Sequence, residues 1–248
     1  MKELFRLEDK KILITGASAG IGRSIASNCA KVGAKVSVTA RNKVRLHETL
    51  KLMQQNDDHS MHIADLGDEE DIISLAKDLP ELDGIVLNAG IVKTVPVKFI
   101  KKDTLEDIFK ANIYGSILLV KHLLKLKKVK NNCSICFISS VASNKMTLGN
   151  SLYSATKGAV NSFTRSLALE LASKQIRVNA ILPGMVETDI LKDSAISQEN
   201  LNSHLKNYPI GRFGKPEDIA YLAIYMLSDA SAFMTGSLVT IDGGYSIK

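Results

Sequence analysis

The sequence predicts an α/β fold: one doubly wound parallel sheet of about seven strands with helices on both faces. Three observations predict it. Short apolar runs alternate with longer stretches of helical periodicity, the order in which parallel strands are joined by right-handed crossovers. Most of those runs are apolar at nearly every position, as strands covered on both faces require. The first run opens directly into a glycine-rich turn, TGASAGIG, and then a helix, the junction at which such sheets present backbone N–H groups to a phosphate.

The elements follow in order. KILIT (residues 11–15) is the first strand, and the glycine turn starts a helix over 21–32. KVSVTA (35–40) is the second strand, followed by a helical pattern over 42–54. SMHI (60–63) and a helix over 68–78 come next, then GIVLN (84–88) and one long helix over 103–128. CSICFIS (133–139) precedes a helix over 152–173, IRVNAIL (176–182) follows, and SLVTI (237–241) is the last strand. Before that strand, Pro216 followed by Glu217 and Asp218 opens a helix over 216–228. Proline is tolerated in a first turn, and acids there face the positive end of the helix dipole. No repeat, low-complexity tract or linker divides the chain, so residues 1–248 read as a single dinucleotide-binding domain. The least regular stretch, 184–211, follows a strand end, where ligands sit in such sheets. It is either a substrate lid or a plain surface excursion.

Of the 248 residues, 45% are hydrophobic and 23% charged, a balance that supports a packed core and argues against disorder. No apolar run nears the ~20 residues of a membrane span. The N-terminus, MKELFRLEDKKILITG, lacks the uninterrupted apolar segment of a signal peptide. A soluble, cytoplasmic protein without membrane contact is expected. Three cysteines suit a reducing compartment. Cys133 and Cys136 form a C-x-x-C inside a strand-like run. Positions i and i+3 of a strand face opposite ways, so two core thiols are expected there, and no metal site. The net charge of +6 favours anionic partners only weakly. Lys121, Lys125, Lys127, Lys128 and Lys130 cluster in one stretch. They form either a solvated helix end or a docking patch for an acidic partner. Without aromatic interleaving or a nucleic-acid motif, binding to DNA or RNA is not expected.

In the glycine turn, Gly16 permits the tight bend, Gly20 allows backbone to approach a pyrophosphate, and Gly22 lets the helix pack closely on the sheet. The spacing, G-x-x-x-G-x-G, is one residue longer in its first gap than the common dinucleotide fingerprint. An acid at the end of the second strand would bind the ribose 2′-hydroxyl of NAD. Here Ala40 and Arg41 stand at that end, and a guanidinium suits a 2′-phosphate. NADP(H) is therefore favoured over NAD(H), the alternative being that Arg41 is an ordinary surface cation.

With these pieces in place the chain resembles, nearly end to end, a short-chain dehydrogenase/reductase of the Rossmann type. TGASAGIG matches the family's own glycine motif, and NAG (Asn88, Ala89, Gly90) its segment closing the fourth strand. Asp65 and Leu66 match its adenine-contacting turn, YSATK its Y-x-x-x-K, and Asn112 in KANIYG its relay asparagine. Ser140 lies 13 residues before Tyr153, as the family's catalytic serine does, and Pro183, Gly184 and Thr188 match the loop that closes over the nicotinamide. GRFGKPEDIA and TGSLVTIDGG resemble C-terminal landmarks of the same family. Leu87 departs from an asparagine common in the family, and a buried apolar contact is expected in its place. The resemblance implies a catalytic set of Asn112, Ser140, Tyr153 and Lys157. It implies cofactor contacts from Gly16, Ser18, Ala19, Gly20, Ile21, Gly22, Arg41, Asn42, Asp65, Leu66, Asn88, Ala89, Gly90, Tyr153, Lys157, Pro183, Gly184, Val186 and Thr188.

The chemistry such a set implies is reversible hydride transfer between a carbonyl and a secondary alcohol. A phenol with an ordinary pKa near 10 is a sluggish acid at neutral pH. Lys157, one helical turn after Tyr153, is expected to lower it, and Ser140 to hydrogen-bond the substrate oxygen. By resemblance, Lys157 also holds the nicotinamide ribose, and Asn112 holds a water that links Lys157 to solvent. Ser154, Ala155 and Gly158 are expected to let the helix lie close to cofactor and sheet. Val141, Ala142, Met146, Leu148 and Met185 are expected in the substrate wall with Ser140 and residues of 189–208, favouring an acyl, alkyl or steroid-like group. The nearest look within the family is to 3-oxoacyl-(acyl-carrier-protein) reductases, so an acyl thioester, and a carrier protein docked on the lysine cluster, are candidate partners. Alternatives are an alcohol, steroid or sugar dehydrogenase of the same family, or a nucleotide-sensing protein without catalysis. The family also implies a homotetramer built on the helices over 103–128 and 152–173 and on the C-terminal strand region.

Overall fold

The computed structural model describes residues 2–53, 58–188 and 198–248. Among them seven parallel strands form one sheet in the order β3-β2-β1-β4-β5-β6-β7. They are β1 (Lys11–Thr15), β2 (Lys35–Ala40), β3 (Ser60–Ile63), β4 (Leu82–Leu87), β5 (Val129–Ile138), β6 (Arg177–Pro183) and β7 (Leu238–Ile241). The helices are α1 (Gly20–Lys31), α2 (Lys43–Leu52), α3 (Glu69–Asp78), α4 (Lys102–Phe109), α5 (Gly115–Lys125), α6 (Ser151–Leu171), α7 (Gln198–Leu205) and α8 (Pro216–Leu227). This is the doubly wound, Rossmann-type architecture expected from the alternating pattern.

Each face of the sheet has its own core. Ile25 and Cys29 of α1, Leu46 of α2, and Ile219 and Leu227 of α8 pack on one side. Ile72 of α3, Leu119 and Leu123 of α5, and Leu167 and Leu171 of α6 pack on the other. Cys133 and Cys136 are fully buried and fall in opposite cores. The strand therefore separates the two sulfurs, and burial pushes both thiols up to about 12. Leu87 is buried as expected, in the core under α3, α5 and α6.

The long helix expected over 103–128 is not continuous. It breaks into α4, a π-helical turn over Lys110–Tyr114, and α5. Two side-chain facts account for the break. Asn112, inside the turn, reaches across to bond the main chain of Ile91 and the hydroxyl of Thr156. Gly115 then presses so closely on the Leu66 carbonyl that a Cβ would lie 2.2 Å from its oxygen. Single π turns inside helices commonly mark such local insertions. The lysine cluster is likewise divided, because β5 starts at Val129. Lys128 donates to the Lys77 and Leu79 carbonyls at the end of α3. Lys130 pairs with Asp83 at 2.9 Å, and Lys121 with Glu69 at 3.1 Å. Most of the cluster is thus engaged within the chain.

Of the stretch 184–211, residues 189–197 lie outside the described residues. Its C-terminal part is core: Tyr208 is 4% exposed and its hydroxyl accepts the Met185 N–H at 2.9 Å. Gly115→Ala is expected to lower stability by ~2 kcal/mol, the cost of overpacking against backbone that cannot move away. That corresponds to a fall in melting temperature of about 4–8 °C, readable by calorimetry; an unchanged melting temperature would show that α4 and α5 are not pinned at Leu66.

Candidate active site

The chain steps outward from β1 to β2 and β3, then crosses back to β4 on the other side of β1. A crevice opens at that switch point, beyond the carboxyl ends of the strands. It is a cavity of about 1180 Å³. Gly16 makes the turn after β1 with φ +63°, and a Cβ on it would meet the Ala89 Cα at 2.8 Å. The Thr15 hydroxyl accepts the N–H groups of Asn88 and Ala89 at 3.0 and 3.1 Å. The Asn88 amide donates back to the carbonyls of Thr15 and Gly16. The glycine turn and the end of β4 are therefore one braced unit. Helix α1 starts at Gly20 with Ala19 as a cap that offers no side-chain acceptor, and no acid stands in its first turn. Its N-terminal N–H groups and dipole therefore lack a side-chain acceptor from the chain itself.

Arg23 holds this turn from behind and was not foreseen in the sequence. Its guanidinium donates to the Ser18 and Arg45 carbonyls and pairs with Glu48 at 3.0 Å. At the end of β2, Asn42 caps α2 by accepting the Arg45 N–H at 2.9 Å. Arg41 stands 3.7 Å from the Asp65 carboxylate, and both line the cavity. Arg45 lines it too. Its sequence signal was a second cation one turn into α2, on the same side as the cap.

Ser140 lies two residues beyond β5 and caps a short 3-10 turn by accepting the Ala142 N–H at 3.1 Å. Tyr153 and Lys157 lie one turn apart on α6, with the Lys157 Nζ 5.7 Å from the centre of the Tyr153 ring. Lys157 is 5% exposed, and its Nζ donates to the Ile138 carbonyl at 2.8 Å. Ser139, also unforeseen, ties β5 to α6 by bonding the Lys157 carbonyl and the Asn161 amide. Burial pulls Lys157 down to about 8. Burial also pushes the Tyr153 phenol above its ordinary value, opposed by its hydrogen bond with Ser140. The expected net lowering of Tyr153 is not found in the protein without cofactor, because withdrawal from water is the largest effect on both groups.

Of the expected site residues, all but Gly22 and Asn112 line the cavity. Gly22 serves packing, since a Cβ would sit 2.3 Å from the Gly16 oxygen. Asn112 stands behind Gly90, whose absent Cβ would meet the Asn112 Oδ1 at 3.0 Å and Lys157 Nζ at 3.8 Å. Two expectations are corrected. A Cβ on Gly158 would touch nothing within 4 Å, and Ala155 is exposed, so neither is needed for close packing on the sheet. Met146 and Leu148 are 65% and 100% exposed and do not line the cavity. Lys145, Thr147 and Asn150 of the same turn line it instead. Val141, Ala142 and Met185, also expected in the wall, do line the cavity.

The residues fit a nicotinamide dinucleotide. The uncapped α1 terminus and glycine turn suit the pyrophosphate, Arg41 and Arg45 an anionic ribose substituent, and the spare Lys157 donors the second ribose. Among the described residues no helix is long and apolar enough to cross a membrane. Residues 16–246 match the family described as enoyl-(acyl carrier protein) reductase. The chain is 31% identical to the 3-oxoacyl-(acyl-carrier-protein) reductase of Thermotoga maritima, over 98% of this chain and 100% of that one. It is 34% identical to the L-xylulose reductase of Caenorhabditis elegans, over 96% of each. A proposed 2-deoxy-d-gluconate 3-dehydrogenase from Agrobacterium tumefaciens, solved with bound NADP, superposes with a TM-score of 0.89 at 28% identity, covering 99% of both chains. Fold and relatives define an NAD(P)-dependent oxidoreductase acting on CH–OH and carbonyl groups. The chain belongs to the short-chain dehydrogenase/reductase family.

The buried lysine makes stability pH-dependent. Its folded pKa, about 8, lies below the unfolded 10.5, so between those values the unfolded chain holds more protons and stability rises with pH. Compared with Lys157→Met, the wild type should gain up to ~3 kcal/mol from pH 8 to 10.5. Denaturant titrations of both proteins across this range measure it, and a flat or opposite difference would contradict the buried-cation assignment.

Proposed function

We propose that the protein reduces a carbonyl to a secondary alcohol with NADPH, in a reversible reaction. What carries this reading is the meeting of Ser140, Tyr153 and Lys157 in one dry corner of the cavity that begins at the glycine turn. NADPH, when bound, supplies the hydride. The chain's own residues manage the oxygen. The Tyr153 hydroxyl donates a proton to the carbonyl oxygen as negative charge builds there, and the Ser140 hydroxyl donates a hydrogen bond to that same oxygen. Lys157 keeps donors beyond its bond to Ile138 for a ribose hydroxyl, and its charge steadies the phenolate left on Tyr153. Asn112 fixes the loop after β4 against α6, and we assign it the hand-over of protons from Lys157 towards solvent.

The preference for NADPH is supported by two guanidinium groups, Arg41 and Arg45, where an acid would be needed for an unphosphorylated ribose. The bound NADP of the Agrobacterium tumefaciens structure is consistent with it. For the substrate, the Thermotoga maritima relative supports a 3-oxoacyl thioester, with an acyl carrier protein as partner. The Caenorhabditis elegans relative supports a small polyol ketone instead. A homotetramer is also part of the proposal, supported by exposed Leu105 and Tyr114 on α4 and the π turn, Leu169 on α6, and Phe233 before β7. Light scattering after size exclusion reads it directly.

Tyr153→Phe should cut turnover at least ~10²-fold, the scale of general acid catalysis, while nucleotide binding survives. Undiminished turnover would remove Tyr153 from the mechanism. Arg41→Asp should lower kcat/KM for NADPH by about tenfold or more, the worth of a charge-assisted contact, and narrow or reverse the preference over NADH. Parallel assays with both nucleotides on acetoacetyl thioester, xylulose and simple ketones test substrate and cofactor together. Equal use of the two nucleotides by the wild type would end the NADPH assignment.

A further inference from the structure

The polar stripe that α6 turns towards the site does not stop at Lys157. Tyr153, Lys157 and Asn161 stand at i, i+4 and i+8, so all three share one side of the helix. Asn161 is 7% exposed and does not line the cavity. A buried amide costs free energy unless its hydrogen bonds are made, and here both ends are used. The Ser139 hydroxyl donates to Asn161 Oδ1 at 2.7 Å, and Asn161 Nδ2 donates to the Ser143 hydroxyl at 2.8 Å. The Ser143 hydroxyl in turn donates to the Ser140 carbonyl at 2.7 Å, and the Ser143 N–H reaches the same oxygen at 3.1 Å.

The direction of these bonds decides what Ser140 can do. A hydroxyl has one proton to give. Ser143 receives a proton donor from Asn161, so its own proton goes to the Ser140 carbonyl. That bond, with the Ser143 N–H, closes the 3-10 turn over Val141–Ser143. The closed turn holds the Ala142 N–H 3.1 Å from Ser140 Oγ. An N–H aimed at Oγ occupies a lone pair and keeps the hydroxyl proton off that side. The Ser140 proton is thereby directed away from the turn, to the side where Tyr153 stands in the cavity. Val141 and Ala142 ride on the same turn, so that part of the cavity wall is fixed with it.

We propose that Asn161, acting through Ser143, is a positioning residue for the reduction: it orients Ser140 as the hydrogen-bond donor to the reacting oxygen. This rests on the carbonyl-reductase reading and extends its machinery one turn beyond Lys157. Neither Asn161 nor Ser143 lines the cavity, and neither takes part in proton transfer to the substrate.

Two variants test it with NADPH and whichever of acetoacetyl thioester, xylulose and simple ketones is turned over. Asn161→Asp is nearly isosteric, but an ionised carboxylate only accepts, so Ser143 must donate to it and release the Ser140 carbonyl. Ser143→Ala removes the relay at a half-buried position and leaves Asn161 in place. Each should lower kcat at least about tenfold, short of the ~10²–10³-fold cost of deleting an oxyanion donor outright. KM and the Kd for NADPH should stay within about twofold, the mark of an interaction that counts only in the transition state. The double variant should fall within about twofold of the worse single one, because both break one chain of bonds. Ser143→Thr keeps the hydroxyl and should restore most of the kcat. Losses shared by KM and NADPH binding, losses that multiply in the double variant, or an undiminished kcat would each overturn the proposal. If the wild type turns over none of these carbonyls, the reductase reading itself fails on them, and a crystal structure of Ser143→Ala decides the positioning role alone. Ser140 Oγ out of hydrogen-bond reach of the Ala142 N–H upholds it, and an unchanged turn overturns it.

Discussion

A lysine ammonium group held out of water where β5 meets α6 is the constraint on which the rest of this site depends. Burying a cation costs several kcal/mol unless polar groups replace its hydration. The main chain supplies one such group, the Ile138 carbonyl. Everything around it is arranged so that neither strand nor helix can shift and release it. Ser139 bonds both the Lys157 carbonyl and Asn161, and Asn161 bonds Ser143 in turn. Thr156, next to the lysine, bonds Asn112, which grips both main-chain groups of Ile91. The face of α6 turned to the sheet therefore carries Ser154, Thr156, Asn161 and Thr164 where packing alone would accept apolar residues. Tyr153, one turn before the lysine, inherits the same fixed position relative to Ser140.

The cavity has three electrostatic zones. At the mouth of α1 and along the start of α2, main-chain N–H groups and two guanidinium groups face it, with the Asp65 carboxylate 3.7 Å from Arg41 and accepting the Gly67 N–H. In the middle, burial pushes a phenol up and an amine down to about 8, so near neutral pH the phenol keeps its proton and the amine still carries most of its charge. That is a poised state: an incoming negative charge on a substrate oxygen or a ribose hydroxyl is the first strong partner either group meets. Beyond Ser140 lies a second cation, Lys145.

How much of this could be read from the chain depended on whether a residue's role is set locally. The glycine turn was legible because a backbone bend with positive φ at Gly16 admits few other residues. Tyr153 and Lys157 were legible because a spacing of four on a helix fixes a shared face. Helices on both faces and the separation of Cys133 from Cys136 were legible because successive side chains of a strand face opposite ways; the strand order came only with the structure. The π turn was not legible, since it exists only because Asn112 finds partners on two distant segments. Arg23 and Ser139 were missed for the same reason: each acts on backbone brought near by the fold. Gly158 misled because small size was taken for close packing, while the helix face it occupies has nothing opposite it.

The misreading of the turn over 141–150 has the largest functional consequence. Met146 and Leu148 are its most apolar members and point outward, while Lys145, Thr147 and Asn150 face the cavity. Alternation along an irregular turn is decided by what each side chain can bond. Lys145 finds two main-chain oxygens near the end of the described chain, and Asn150 bonds Thr147 at 2.7 Å. Beside the turn, Tyr208, Tyr245, Phe213 and His204 stack into one aromatic group that fastens α7 to the region after β7. Lys145 lies over the Tyr245 ring at 4.6 Å, so turn and rings form one continuous wall. This wall therefore offers a substrate apolar contacts from Val141, Ala142 and Met185 beside the hydrogen-bonding groups of Thr147 and Asn150, and a polar group left unmatched there carries a penalty that apolar contact does not.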